Sequence, residues 1–416
     1  MSNELVPGLN GDFKKLMVTR FLFTFGVQMQ AVILGWRMYE LTHDALFLGL
    51  IGLTEAIPAI GLALHAGYIV DRSRPLVVYR NVLLGSLLSG VVLLLSQMQR
   101  QQMAVNPQII ALFASAFITG AARGFSGPSL YATVPRILER AHLPQASAWM
   151  SGMVQLARVS GPAIGGLVFG WYGMTAASAL ICALLVFSLG AHSLIKIKIP
   201  APGAHSVKPN FQTELLAGLK FVFSHKILLP ALSLDMISVL FGGVTAILPI
   251  YAAEILFVGP RGLGLLRAAP GFGAVLTSLV LSQRKNWTRA GHWLLTSVAG
   301  FGVCILIFGL SKSYYVSLLA LGVSGAFDAV SMLIRGVAVQ LSSPDAMRGR
   351  VSAVNSMFIG SSNEIGEFES GLAARLLGTV PSVIFGGVAC LVTVAAVTLS
   401  SSTLRQMDLT KLNPDS

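Results

Sequence analysis

Residues 45–74 read ALFLGLIGLTEAIPAIGLALHAGYIVDRSR. The first part, 45–70, is almost wholly apolar and then breaks into the polar turn Asp71, Arg72, Ser73 and Arg74. A helix that crosses a bilayer needs about 20 mainly apolar residues. The stretch therefore reads as a membrane-crossing helix that ends in a charged loop.

Working outward, the same reading recurs along the chain. Twelve segments qualify, near 17–39, 45–70, 76–98, 107–136, 143–169, 172–195, 228–256, 262–283, 290–311, 314–341, 350–376 and 380–402. One long polar interruption, about 196–227, carries Lys196, Lys198, Pro200, Pro202, Lys208 and Lys220. Its later part, Phe211 to Phe223, has apolar residues at helical spacing and is expected along the membrane surface. The chain is thus expected to be an all-α membrane protein with twelve transmembrane helices in two pseudo-symmetric six-helix bundles. The expected division is an N-terminal bundle over 1–198, a cytoplasmic linker over 199–227, and a C-terminal bundle over 228–416 with a short cytoplasmic tail.

Composition agrees. Of 416 residues, 54% are hydrophobic and 11% charged, against about 25% charged in soluble chains. So few charges cannot cover soluble domains of this length, and the 43 Gly and 14 Met suit packed membrane helices. Cys182, Cys304 and Cys390 are widely spaced in apolar runs and form neither a metal pattern nor a disulfide framework. Lys14, Lys15 and Arg20 precede a long apolar run, yet no small-residue cleavage site follows, which speaks against a signal peptide.

A net charge of +12 would suggest nucleic acid in a soluble protein. In a membrane protein, Lys and Arg gather in cytoplasmic loops. With the N-terminus inside, Arg37, Arg100, Arg261, Lys312 and Arg375 fall outside, and Arg123, Arg158, Arg267 and Arg335 fall within helices. The other twenty basic residues of the 29 lie on the cytoplasmic side. Both termini are therefore expected in the cytoplasm, in a bacterial inner membrane, with no nucleic-acid partner.

The halves echo one another. Residues 147–151 (SAWMS) align with 352–356 (SAVNS) at an offset of 205, which also maps Gly161 onto Gly366 and Gly166 onto Gly371. An offset of 212 maps Gly52, Pro58 and Gly61 onto Gly264, Pro270 and Gly273. Internal repeats of this kind belong to transporters that rock two halves about a central site.

The segment Gly67-Tyr68-Ile69-Val70-Asp71-Arg72-Ser73-Arg74 resembles the GxxxDRxxR/K signature of the major facilitator superfamily, with Pro75 in place of its next basic residue. Gly67 would permit close helix approach, and Asp71, Arg72 and Arg74 would hold the cytoplasmic gate. Gly152 followed by Gly161-Pro162-Ala163-Ile164-Gly165-Gly166 resembles the glycine-proline motif of antiporters in that superfamily, with Ala157 where another Gly is common. These small residues allow tight packing, and Pro162 loosens the helix. The run from Ser343 to Asn355 into Ser361-Ser362-Asn363-Glu364-Ile365-Gly366-Glu367-Phe368-Glu369-Ser370-Gly371, with Tyr39-Glu40-Leu41-Thr42, is similar to the enterobactin (siderophore) exporter branch of the superfamily. The resemblance implies export of a siderophore-like molecule.

Ionisable residues inside spanning helices are costly and should face a cavity or a partner. Glu55, Asp235, Asp328, Glu364 and Glu367 are candidates for coupling to protons. Glu364 and Glu367 stand one turn apart and would repel. Arg123, Arg158, Arg267 and Arg335 are candidates for carboxylate or catecholate oxygens, and Trp36, Tyr39, Phe241 and Tyr251 for stacking on a planar ligand. Under the repeat, Glu55 corresponds to Arg267 and Arg123 to Asp328, so Glu55 with Arg267 or Arg123 with Asp328 is expected to form an ion pair in one access state.

The expected function is secondary active export by alternating access, coupled to protons, of a small molecule by a monomer in the lipid bilayer. A multidrug:proton antiporter is the nearest alternative, and a non-transporting membrane receptor is the alternative of another class. No GxxxxGK[ST] loop, nucleophile elbow or His cluster is present in the sequence. No enzymatic activity, cofactor or metal is expected.

Overall fold

The computed structural model describes residues 10–99, 103–197, 211–282, 287–344, 347–410 and 412. Among these every regular element is helical. The long helices are α1 (Gly11–Thr42), α2 (Ala45–Arg72), α3 (Pro75–Met98), α4 (Val105–Ile137) and α5 (Leu143–Ser193). After the short α6 (Phe211–Ser224) come α7 (Leu228–Gly242) and a turn of helix, α8 (Leu248–Ile250). Then follow α9 (Gly259–Leu281), α10 (Ala290–Leu310), α11 (Tyr314–Ser342), α12 (Arg348–Leu377), α13 (Thr379–Ser400) and α14 (Ser402–Arg405).

Ten segments among the described residues are long and apolar enough to cross a membrane. One of them contains α5, whose 51 residues would extend more than twice the ~30 Å hydrocarbon thickness as a single rod. It is broken at Gly173, where φ is 80°. A residue with a Cβ is strained there, so a glycine marks the break. Helix α12, of 30 residues, has the length of a span and carries Arg348, Arg350, Glu364, Glu367, Glu369 and Arg375.

The expected helix near 228–256 is interrupted. Helix α7 stops at Gly242, Gly243 and Val244 leave the helix, a tight 3-10 turn follows over Thr245–Ile247, and Leu248–Ile250 resumes the α-helix before a wider, π-type turn over Tyr251–Ile255. Two adjacent glycines, 242 and 243, are poor helix formers, and hydropathy does not report their effect. The start of α7 is held by His225, whose Nδ1 accepts from the backbone N–H of Ile227 (3.2 Å) and Leu228 (3.3 Å). Partial burial keeps this imidazole below its usual pKa.

The chain divides into two compact units. One comprises Met1–His43, Leu50–Ser206 and Val258–Ala268; the other comprises Asp44–Gly49, Val207–Phe257 and Ala269–Ser416. In the first, α1 packs on α5, and α3 on α4 and α5; in the second, α7 packs on α12 and α13, and α10 on α11 and α13. The internal repeat has a physical counterpart. In the first unit a Cβ on Gly120 of α4 would collide with the Glu55 carbonyl of α2. In the second, 205 residues on, a Cβ on Gly325 of α11 would collide with the Pro270 carbonyl of α9.

A buried polar knot ties α1, α3 and α4 of the first unit. Gln30 Nε2 lies 2.8 Å from Ser89 Oγ, 2.9 Å from Ser115 Oγ and 2.9 Å from Thr119 Oγ1. Ser89 Oγ donates to the Ser115 carbonyl at 2.7 Å. In the second unit the tail folds back on the start of α10, where the Gly291 N–H donates to the Met407 carbonyl at 3.1 Å. Leu404 and Met407 are buried there with Trp287 and Leu294.

Candidate functional site

The first unit concentrates positive charge. Arg20 of α1 donates to Ser126 Oγ of α4 at 2.5 Å, and Arg123 of α4 is ion-paired with Glu55 of α2. Arg158 of α5 stands within electrostatic reach of both Arg123 and Arg20. Three guanidiniums thus share a region with one carboxylate. The Arg123 side chain is 41% exposed and Arg158 is exposed. Arg267, in the α9 segment of the same unit, instead donates to the Ala31 carbonyl at 2.7 Å.

The second unit reverses the balance and closes the site. Arg335 of α11 pairs with Asp235 of α7 at 2.5 Å, their side chains 3% and 9% exposed. Asp328, two turns before Arg335 on α11, lies within electrostatic reach of both. Asp235 and Asp328 line one cavity with Ser238, Ser297, Phe301 and Ser331. Its free volume is about 10 Å³, room for about one water. Two carboxylates share one guanidinium in a small, secluded space. Burying a charge without a partner is costly, so the two carboxylates compete for one counter-charge.

In this conformation Glu55 pairs with Arg123, and Asp235 with Arg335, whereas the expectation concerned Glu55 with Arg267 or Arg123 with Asp328 in one access state. The signs were legible, but pairing depends on how each helix is rotated. Glu364 and Glu367 sit one turn apart on α12, each with an interaction partner.

The aromatic candidates are mostly packed. Trp36 Nε1 donates to Glu40 Oε1 at 2.6 Å and its ring meets Phe169 edge-on. Tyr39 is buried beside His43. Tyr251 is fully buried, 4.5 Å from the Phe308 ring, with its hydroxyl donating to the Gly309 carbonyl. Phe241 lines a second cavity, at the break after α7.

Among the gating candidates, a Cβ on Gly161 would lie 2.8 Å from Gln28 Cβ, and one on Gly165 3.1 Å from Met29 Cα. One on Gly166 would lie 2.6 Å from Gly264 Cα, and one on Gly264 would lie 2.6 Å from the Pro162 carbonyl oxygen. These residues allow α1 and the start of α9 to approach α5. Gly67 and Gly152 face open space. Arg72 lies over the Tyr68 ring at 4.1 Å, and Arg74 precedes the first turn of α3. The Asp71 side chain lies outside the described residues.

Sequence reasoning did not single out Arg20, which was counted among the cytoplasmic flanking charges, or Glu369, which was quoted only within a motif. Arg20 falls inside α1, and its position one turn into the apolar run was the available signal.

Residues 2–416 match the family described as Transmembrane secretion effector. Over 351 residues, 82% of this chain and 80% of the relative, the chain is 25% identical to the enterobactin exporter EntS of Citrobacter koseri. The same figures hold for EntS of Escherichia coli O1:K1 / APEC. The fold is similar to that of the nucleoside transporter NupG, with a TM-score of 0.68 and 14% identity over 94% of this chain and 99% of NupG. It is also similar to a bacterial homologue of the iron transporter ferroportin in an inward-facing state, with a TM-score of 0.70 and 15% identity over 95% and 99%. At such identity these two structures share the fold alone.

Proposed function

Since the chain belongs to the transmembrane secretion effector family, a family of major facilitator transporters, we propose that it exports an anionic, siderophore-like small molecule in exchange for protons. The observation that carries the reading is the group of Arg20, Arg123 and Arg158 with one carboxylate, Glu55, among them. A surplus of guanidiniums at membrane depth favours a guest that brings oxygen anions, which Arg binds by paired, charge-assisted hydrogen bonds. The relatives named as enterobactin exporters support the same cargo class. A hydrophobic cation would meet repulsion there.

In this reading the chain crosses the membrane twelve times, with bundles over 1–198 and 228–416, a linker over 199–227, and both termini in the cytoplasm of a bacterial inner membrane. It works as a monomer in lipid, without nucleic acid. Asp235 and Asp328, sharing Arg335, take and release the proton; Glu55, Glu364 and Glu367 are further acidic candidates. Arg267, Trp36, Tyr39, Phe241 and Tyr251 shape the path of the substrate. Gly67, Asp71, Arg72, Arg74, Gly152, Gly161, Pro162, Gly165 and Gly166 serve gating. Protonation of the acidic pair loosens its hold on Arg335, and the two units exchange access as the helices repack.

The test is uptake of enterobactin into everted membrane vesicles with an acid lumen. Uptake that collapses when the pH gradient is dissipated, and that Arg158→Gln and Asp328→Asn each reduce, is the expected result. Uptake indifferent to the gradient removes proton antiport, and selective uptake of lipophilic cations removes the anionic cargo.

A further inference from the structure

We propose that Glu369 of α12 is a second proton-carrying site, placed in series with Asp235 and Asp328 along α7. The proposal rests on the antiport reading above and goes beyond it by naming a residue and a route.

The unwound stretch after α7 carries the argument. Non-helical backbone at membrane depth is tolerated where it is buried in protein or lines a cavity. Here Gly243 and Val244 leave the helix and, with Ile247, line a cavity. The Gly243 carbonyl accepts from Ser370 Oγ of α12 at 2.5 Å. Beside this bond lies a cavity of about 10 Å³, bounded by Phe241, Val244, Ile247 and Val383, the hydroxyl residues Ser370 and Ser382, and Glu369. The space accommodates about one water.

Glu369 is the titratable residue in that lining. Among the described residues no hydrogen bond, ion pair or charge reaches its carboxyl. The elements packed on α12 bring their charges elsewhere. Asp235 of α7 and Asp328 and Arg335 of α11 belong to the other centre. Lys220 of α6 does not line this cavity, the Glu214 side chain of α6 lies outside the described residues, and α13 carries no charged side chain. On α12 itself, Arg375 is ion-paired with Asp44 at 2.8 Å, and Glu367 does not line the cavity.

A bare carboxylate among these groups is costly. Two cations could neutralise it. A metal ion needs several oxygen ligands. Glu369 is the single carboxylate in this lining, and the cavity has room for about one further oxygen, as water. The proton needs one oxygen and one neighbouring water, which the cavity provides.

Order along the chain supplies the route. On α7, Asp235, Ser238 and Val239 line the first cavity; Phe241 and then Gly243 line the second. Two one-water spaces thus follow one another along a single helix, with a carboxyl at each. Under the proposed topology α7 runs outward, so Glu369 meets the incoming proton before the pair at Arg335 does.

Two measurements on the reconstituted full chain test this. Infrared difference spectra across a pH step read protonation of carboxyl groups without any transport. A carboxylic-acid band that Glu369→Gln lacks and Glu369→Asp keeps in shifted form is expected. A spectrum unchanged in Glu369→Gln overturns the assignment, as does a band that responds to Na⁺ at fixed pH. In everted vesicles, gradient-driven enterobactin uptake by Glu369→Gln is expected to fall by an order of magnitude, with gradient-free exchange of labelled for unlabelled enterobactin at the wild-type rate. Equal loss of both activities indicates a structural role and overturns the proposal. Wild-type uptake indifferent to pH would remove the antiport reading, while the infrared band still decides whether Glu369 holds a proton.

Discussion

The charged centre on α1, α2, α4 and α5 and the charged centre on α7 and α11 use the same residue types in opposite proportion. The first sets Arg20, Arg123 and Arg158 against Glu55, with Arg123 41% exposed. The second sets Asp235 and Asp328 against Arg335, which is 3% exposed. Openness and sign vary together. The basic centre is exposed, and the acidic centre has room for about one water. A membrane protein that exchanges an anion for a proton needs one centre of each kind, and the internal repeat offers two related frames on which to build them.

The sharpest way to break this contrast is to remove one arginine from each centre. Arg335→Met leaves Asp235 buried without its partner, which is expected to cost about 3–5 kcal/mol. Arg123→Met breaks a partly solvated pair and should cost less than about 1 kcal/mol. Thermal unfolding in detergent compares them, and equal losses would erase the distinction between a closed and an open centre.

The next effect concerns substrate affinity. Arg158 is exposed and has like charges as its electrostatic neighbours, so Arg158→Gln should leave stability nearly unchanged. Loss of one charge-assisted hydrogen bond should raise the KM for enterobactin uptake by about tenfold to a hundredfold. An unchanged KM would move the anion site elsewhere.

A smaller effect tests what the two units share. Gly120→Ala and Gly325→Ala each push a methyl into a facing backbone carbonyl, and each is expected to cost about 1–3 kcal/mol through overpacking. Unfolding curves that differ widely between the two would show that the repeat is unequal at these crossings.

The smallest effect is a pH dependence at the start of α7. Burial lowers the pKa of His225, so its contribution is complete above the imidazole's ordinary value and is lost as pH falls through the lower folded one. Protonated Nδ1 cannot accept from Ile227 and Leu228. The protection of these two amides against hydrogen exchange, relative to their intrinsic rates, should fall on acidification by an amount equivalent to about 1 kcal/mol or less. His225→Asn, which keeps a side-chain acceptor, should flatten that dependence.

The apolar spans were legible because hydrophobic length is a property of contiguous sequence. The pause between 169 and 172 was legible too, and Gly173 with its positive φ sits at its edge. The break after α7 was not, since 228–256 stays apolar throughout and backbone unwinding leaves no trace in hydropathy. The site was legible in kind but not in partnership. Asp235, Asp328 and Arg335 stood out as charges in apolar helices, yet their grouping required the rotation of α7 against α11. Arg20 was hidden by its place near a helix start. Glu369 was hidden by richer company, since α12 holds three glutamates within six residues and its neighbours drew the attention.

The knot of Gln30 with Ser89, Ser115 and Thr119 consists of amide and hydroxyl groups alone. The energised membrane acts on charge, at about 2.3 kcal/mol per elementary charge for each 100 mV crossed in full. It therefore has no purchase on this joint of α1, α3 and α4, whatever the voltage. Electrical force is felt where Asp235, Asp328 and Arg335 lie, and where the arginines of the first unit lie. A cell that raises its membrane potential thus loads the exchanging centres while the joint bearing the first unit stays electrically silent.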